Sequence, residues 1–225
     1  MLITSRDNER LRTLRKLRDR RWRDKLGLFA VEGEDLLEAG LAAGLEPADR
    51  LVAGEDVAPE LLAEVSVLAH PARVIAVYRR ADLPAPEHRR VRLALWRVAD
   101  PGNLGTIIRT LDAFGGALYL SDGCADPTGP KAVRASAGAI FRVPIGRFED
   151  APRPWVVLDP HVRMDPPIPT FPREVTFVLG AEREGVPREV REGAEVVWSI
   201  PADAESLNVA VAGSIALWEW RRSNL

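Results

Sequence analysis

Five short runs in the second half of the chain, 93–98, 118–120, 155–158, 175–179 and 196–200, are apolar almost throughout. A strand with one wet face alternates apolar and polar residues, because successive side chains point to opposite sides of the sheet. Runs without that alternation belong to strands covered on both faces, the arrangement of parallel sheets whose crossovers carry helices. The spacing predicts an α/β fold with a mostly parallel sheet, a helix over 104–114 after the first run and a last helix over 207–220. In such sheets ligands bind at the carboxyl ends of the strands, so the residues that follow each run are the first place to look for chemistry.

The first half reads differently. Short strands at 28–31, 50–53 and 74–78 are separated by helical patterns at 34–43 and 59–65, which describes a small α/β layer domain. The segment 79–90 contains Pro84, Pro86 and four arginines and keeps no period, which marks a linker. The expected organisation is an N-terminal domain over 1–80, a linker over 81–90 and a C-terminal domain over 91–225. A length of 225 residues accommodates two unequal domains, and 46% hydrophobic with 28% charged residues excludes a disordered chain.

Cys124, the single cysteine, rules out an intrachain disulfide and favours a reducing compartment. No apolar run reaches the length of a membrane span and the N-terminus turns charged too early for a signal peptide, so a cytoplasmic chain without membrane contact is expected. His70, His88 and His161 are scattered without clustered cysteine or histidine partners, and no metal site is expected.

A net charge of -2 and a pI near 6.0 speak, as averages, against nucleic acid. The distribution says otherwise. Residues 1–25 hold ten basic and four acidic side chains, a net +6, while 26–90 hold six basic and twelve acidic ones, a net -6. Leu11, Leu14, Leu17, Trp22 and Leu26 recur close to helical spacing, with Ser5 ahead and Asp7 and Glu9 in the first turn, which predicts one amphipathic helix with a basic face. Such a face serves a phosphate backbone or simply solvent.

Three segments put glycines and polar residues directly after predicted strands. They are Asp100-Pro101-Gly102-Asn103-Leu104-Gly105-Thr106-Ile107-Ile108-Arg109, Leu179-Gly180-Ala181-Glu182-Arg183-Glu184-Gly185-Val186-Pro187, and Ile200-Pro201 followed by Glu205-Ser206-Leu207-Asn208-Val209-Ala210-Val211-Ala212. Each alone has a plain reading: Asn103 and Ser206 as helix caps, Gly180 and Gly185 as turn residues.

Together and in this order the three segments resemble the motifs of the SpoU, or TrmH, family of RNA ribose 2'-O-methyltransferases. Gly123-Cys124-Ala125-Asp126-Pro127 and Lys131-Ala132-Val133-Arg134-Ala135-Ser136-Ala137-Gly138-Ala139 resemble the family's stretch between the first two motifs. Ile3-Thr4-Ser5 with Val31-Glu32-Gly33 resembles the N-terminal substrate-binding extension of its ribosomal-RNA branch. The resemblance implies S-adenosylmethionine as methyl donor, a deep trefoil knot in the C-terminal domain, and active sites made by two subunits of a homodimer.

Carried over residue by residue, Leu179, Gly180, Ile200, Pro201 and Leu207 match donor-binding positions. Asn103, Arg109, Glu182, Ser206 and Asn208 match the polar catalytic set. Arg10, Arg20, Arg21, Arg23, Lys131 and Arg134 are expected to face RNA, ribosomal in preference to transfer RNA. A protein that binds RNA or assists ribosome assembly without methylating it is the competing reading, and it predicts damage in the motifs. Only four residues separate Pro201 from Ser206, fewer than is common in the family, so the donor loop is expected to differ in shape.

The implied role of Arg109 is constrained by the chemistry of a guanidinium, which keeps its proton at neutral pH and is costly to neutralise. A cation is therefore expected there, held by Asn103, gripping a target phosphate and stabilising a developing 2'-oxyanion while a phosphate oxygen or water takes the proton. Glu182 is expected either to orient the nucleophile's surroundings or to pair with Arg109.

Overall fold

A computed structural model of the protein describes residues 2–162, 170–181 and 184–225. The chain divides into two compact units, the first ending at Leu83 and taking up Asp126–Arg142 again, the second made of Pro84–Ala125 and Val143–Leu225.

In the first unit, strands β1 (Leu28–Glu32), β2 (Asp49–Val52) and β3 (Val74–Arg79) form an antiparallel sheet in the order β1-β3-β2. Two N-terminal helices, α1 (Glu9–Leu17) and α2 (Arg20–Leu26), stand where the periodicity predicts one. The break has a local cause. Asp19 accepts a hydrogen bond from the Arg21 N–H and so starts a second helix, and Asn8 rather than Ser5 caps the first. Leu11, Leu14 and Leu17 of α1 pack with Leu51, Leu61, Leu62, Val65, Ile75 and Val77 on one face of the sheet. Helices α3 (Glu34–Ala42) and α4 (Pro59–Val65) complete the first stretch.

Residues 126–142, assigned from the sequence to the C-terminal domain, belong to this first unit. They include the short helix Pro130–Ser136 and Phe141, whose ring lies 4.8 Å from Tyr78 and 6.2 Å from Phe29. The reason is a buried ion pair as well as aromatic packing. Arg23, only 4% exposed, donates from Nε to Asp126 Oδ2 at 2.8 Å, and Arg80 reaches Asp126 Oδ1 at 3.1 Å.

The second unit is a six-stranded sheet in the order β6-β5-β4-β8-β7-β9, with every pairing parallel. Its strands are β4 (Val91–Trp96), β5 (Ala117–Leu120), β6 (Ile145–Arg147), β7 (Trp155–Leu158), β8 (Val175–Gly180) and β9 (Val196–Trp198). From β4 the chain moves outward to β5 and β6, whereas β8, β7 and β9 fill the other side, so the order reverses between β4 and β8. That reversal is where open α/β sheets leave a crevice for ligands.

Helix α5 (Pro101–Phe114) follows β4 and packs beside α8 (Val209–Ser223); the short α6 and α7 are Pro130–Ser136 and Arg188–Glu192. Gly213 lets α8 approach the sheet, since a Cβ there would stand 3.2 Å from Leu93 Cδ1. Leu207, Val211, Ile215 and Trp218 recur at helical spacing, but none of them is on the buried face of α8. The buried face of α8 is Val209, Ala210, Gly213, Ala216, Leu217 and Trp220, while Val211 and Trp218 are 48% and 57% exposed. No helix among the described residues is long and apolar enough to cross a membrane.

Candidate active site

The carboxyl ends of β7, β8 and β9, three neighbouring strands, open into a cavity of about 500 Å³. Leu179, Gly180, Ile200, Pro201, Leu207 and Ser206 all line it, so six residues singled out from two separate motifs share one space. Leu158, Trp198 and Val209 add apolar wall. Gly180 is required by close approach: a Cβ on it would lie 2.0 Å from the Gly185 carbonyl carbon, because the turn after β8 folds back through an Ala181–Gly185 bridge. Gly185 itself has φ +63°, a left-handed conformation natural to glycine.

The first motif lies at the start of α5, which begins three residues earlier than the periodicity predicts. Asp100 is its cap, accepting from the Asn103 N–H at 2.7 Å, and Pro101 sits in the first turn, where its missing N–H costs nothing. Asn103 is therefore not a cap but a first-turn residue. Its Oδ1 accepts from Asn208 Nδ2 at 2.9 Å, and Asn208 Oδ1 caps α8 through the Ala210 and Val211 N–H groups at 2.9 and 3.3 Å.

Arg109 is exposed on α5, six residues beyond Asn103. That spacing puts it about 9 Å along the axis and about 120° around it. The expected grip of Asn103 on Arg109 is thus replaced, within the chain, by the Asn103–Asn208 pair. Glu182 lies outside the described residues.

Two residues that the motifs did not flag belong to the same edge. Asp159, immediately after β7, lines the cavity and pairs with Arg191 Nη1 at 3.0 Å. Arg97, immediately after β4, has φ +54°, gives its N–H to Ser121 Oγ at 2.9 Å and reaches Glu184 at 3.4 Å. The signal for Asp159 was available, since it is an acidic residue directly after an apolar run.

The model of the SpoU rRNA Methylase family matches residues 90–218, more than half of the chain. The chain belongs to the SpoU family. Residues 8–81 match the MRM3-like substrate binding domain. Among relatives of this SpoU chain, the 23S rRNA (guanosine(2553)-2'-O)-methyltransferase RlmP of Bacillus subtilis is 31% identical, over 97% of this chain and 98% of its own. An uncharacterized tRNA/rRNA methyltransferase of Synechocystis is 33% identical, over 98% and 93%. Of solved structures, an AdoMet-bound rRNA methyltransferase from Sinorhizobium meliloti superposes with a TM-score of 0.88 at 28% identity, covering 100% of this chain and 98% of its own.

The basic N-terminal run of the SpoU chain is divided between fold and surface. Arg23 is buried and tied to Asp126, Leu17 O and Arg18 O, so it is not available to RNA as expected from the sequence. Arg10 donates to Asp49 and to the Arg50 carbonyl, and its hydrogen bond to the Asp49 carboxylate outweighs burial in raising its pKa. Arg20 and Arg21 are exposed on α2, as are Lys131 and Arg134 on α6 of the same unit. Half-buried Trp22 has the Lys16 and Lys25 ammonium groups 4.8 and 5.1 Å from its ring, an aromatic and cationic surface that only the fold of α1 onto α2 assembles.

Proposed function

We propose that the protein transfers a methyl group from S-adenosylmethionine to a ribose 2'-hydroxyl of RNA, ribosomal RNA in particular. The observation that carries this reading is the cavity at the ends of β7, β8 and β9, into which both donor-side motifs converge. The cavity fits the donor. At about 500 Å³ it takes a nucleoside-sized molecule, its walls of Leu158, Leu179, Trp198, Ile200 and Leu207 suit a purine, and loop backbone supplies polar groups for the ring edges. When bound, S-adenosylmethionine supplies an electrophilic methyl group on a sulfonium.

Attack by a ribose hydroxyl is an in-line displacement, so alignment and proton loss are what the chain must provide. Asn103 and Asn208 fix the first turns of α5 and α8 against each other beside the site. Arg109, exposed on α5, grips the target phosphate as a cation and stabilises the developing oxyanion, with a phosphate oxygen or water accepting the proton. Ser206 serves the donor side, and Glu182 orients the nucleophile or pairs with Arg109.

A second subunit completes the site. Exposed Val211 and Trp218 on α8 support that reading, because an unburied apolar stripe beside the motif helices calls for a cover. The deep trefoil knot belongs to the same proposal. It is supported by the order of the last elements: β9 lies outside β7, yet the following α8 returns to pack on β8 and β4. The N-terminal unit presents RNA from its Trp22 surface, and the protein works in the cytoplasm.

The test is label transfer from methyl-labelled donor to unmodified ribosomal RNA, followed by alkaline hydrolysis. Label in alkali-resistant dinucleotides is expected, because a methylated 2'-oxygen cannot attack the adjacent phosphate. No transfer, or label released in mononucleotides, overturns the proposal.

A further inference from the structure

Asp159 is 8% exposed and lines the cavity at the end of β7. Carboxylates are seldom buried this far without dedicated partners. Its Oδ1 accepts from the His161 N–H at 2.9 Å and its Oδ2 from Arg191 Nη1 at 3.0 Å, while its own N–H donates to the Trp198 carbonyl at 3.0 Å and ties it to β9. Burial pushes this carboxyl up, but the His161 N–H, the Arg191 hydrogen bond and the charges of Arg191 and His161 outweigh it and hold the group below the ordinary value. It is ionised at neutral pH. An ionised carboxylate has about four acceptor positions, and these contacts use two.

Building on the proposed function, we infer that Asp159 is a donor-recognition residue that accepts hydrogen bonds from the vicinal ribose diol of S-adenosylmethionine, with Arg191 positioning it. The strand order selects the diol over the amino-acid arm. Asp159 ends β7, two strands or about 10 Å from β4, whose following helix carries Asn103 and Arg109. The reacting sulfonium and its methionine arm belong on the β4 side, the purine belongs against Trp198, Ile200 and Leu207, and the ribose joins them. Glu184, the other carboxylate among the described lining residues, has a side chain 67% exposed and pairs with Arg97 at 3.4 Å, which makes it a rim residue.

Calorimetric binding to the full chain tests this without reference to turnover. The probes are S-adenosylhomocysteine, 5'-methylthioadenosine, which lacks the amino-acid arm, and the 2'-deoxy form of the latter. The wild-type protein is expected to bind 5'-methylthioadenosine about tenfold more tightly than its deoxy form, the ordinary worth of a hydrogen bond to a charged group. Asp159→Asn is expected to lose about tenfold for S-adenosylhomocysteine and 5'-methylthioadenosine alike, and to bind the deoxy form as well as the diol. Arg191→Gln is expected to weaken the same discrimination and Arg191→Lys to restore part of it.

Equal binding of diol and deoxy ligand by the wild-type protein overturns the inference, and this comparison needs no variant to fold. A loss confined to S-adenosylhomocysteine also overturns it, by moving Asp159 to the amino-acid arm. If the wild-type protein binds none of the adenosyl probes, the proposed function falls with it, a result distinct from the other two.

Discussion

Asn208 donates its side-chain amide to the side-chain carbonyl of Asn103 at 2.9 Å, and uses its own carbonyl to cap α8. One amide group thereby does two jobs, ending the loop of the third motif and fastening it to the first turn of the first. Asn208→Asp separates the jobs, because a carboxylate still caps but has nothing to donate. It is expected to keep the melting temperature within a few degrees and to lose about tenfold or more in kcat, whereas Asn208→Ala also loses about 1 kcal/mol of stability with the cap. Thermal melts beside single-turnover rates check both.

Arg109→Lys keeps the charge and loses the planar fork. It is expected to lower methyl transfer by about a hundredfold while leaving S-adenosylhomocysteine affinity and stability near wild type, since the side chain is exposed and outside the cavity lining. Near-normal turnover would remove Arg109 from the proposed mechanism.

Gly180→Ala is expected to damage the proposed donor site from within. The added methyl meets Gly185 backbone, not a side chain that can swing aside, so the turn after β8 must move. A loss of about 1–3 kcal/mol in stability and a clear loss of S-adenosylhomocysteine binding are expected, read by chemical denaturation and calorimetry.

Acid stability is expected to depend on Asp126. Burial alone would raise its carboxyl, but hydrogen bonds from Thr128 and Arg23 and the Arg23 charge hold it below the ordinary value. A group lowered in the folded state stabilises fully above its unfolded pKa of about 3.9, and that stabilisation is lost as pH falls through the folded value. Asp126→Asn should flatten the fall in melting temperature below about pH 4 while lowering the plateau at neutral pH. A parallel acid limb in the variant would exclude Asp126 as its source.

The Trp22 surface is expected to contribute to RNA affinity through stacking and charge. Trp22→Ala should weaken RNA binding by about 1–3 kcal/mol, and Lys16→Gln with Lys25→Gln should flatten the dependence of log affinity on log salt by nearly two. Filter binding over a salt series measures both, and an unchanged slope would place the RNA elsewhere.

What could be read from the chain alone followed the range of the interactions. The strand at 155–158 and the helix at 59–65 coincide with their observed bounds, because local apolar pattern decides them. The helix predicted across 18–19 is two helices, since one capping aspartate in a field of charges carries no periodic signal. The short α6 and α7 escaped because each holds one large apolar residue, Val133 and Val190, which makes no helical period. The cavity was legible as a set of residues that directly follow strands, Asp159 among them. The Asn103–Asn208 pair joins residues 105 positions apart, and no spacing encodes a contact at that range.

The return of residues 126–142 to the first unit bears on how the molecule is made and how it can be cut. A fragment ending at Leu83 would release Phe29 and Tyr78 from Phe141 and leave the Arg23 guanidinium without its carboxylate. During synthesis the N-terminal module must wait, unfinished, until Phe141 has left the ribosome. It is a piece of the protein that is translated first and completed late.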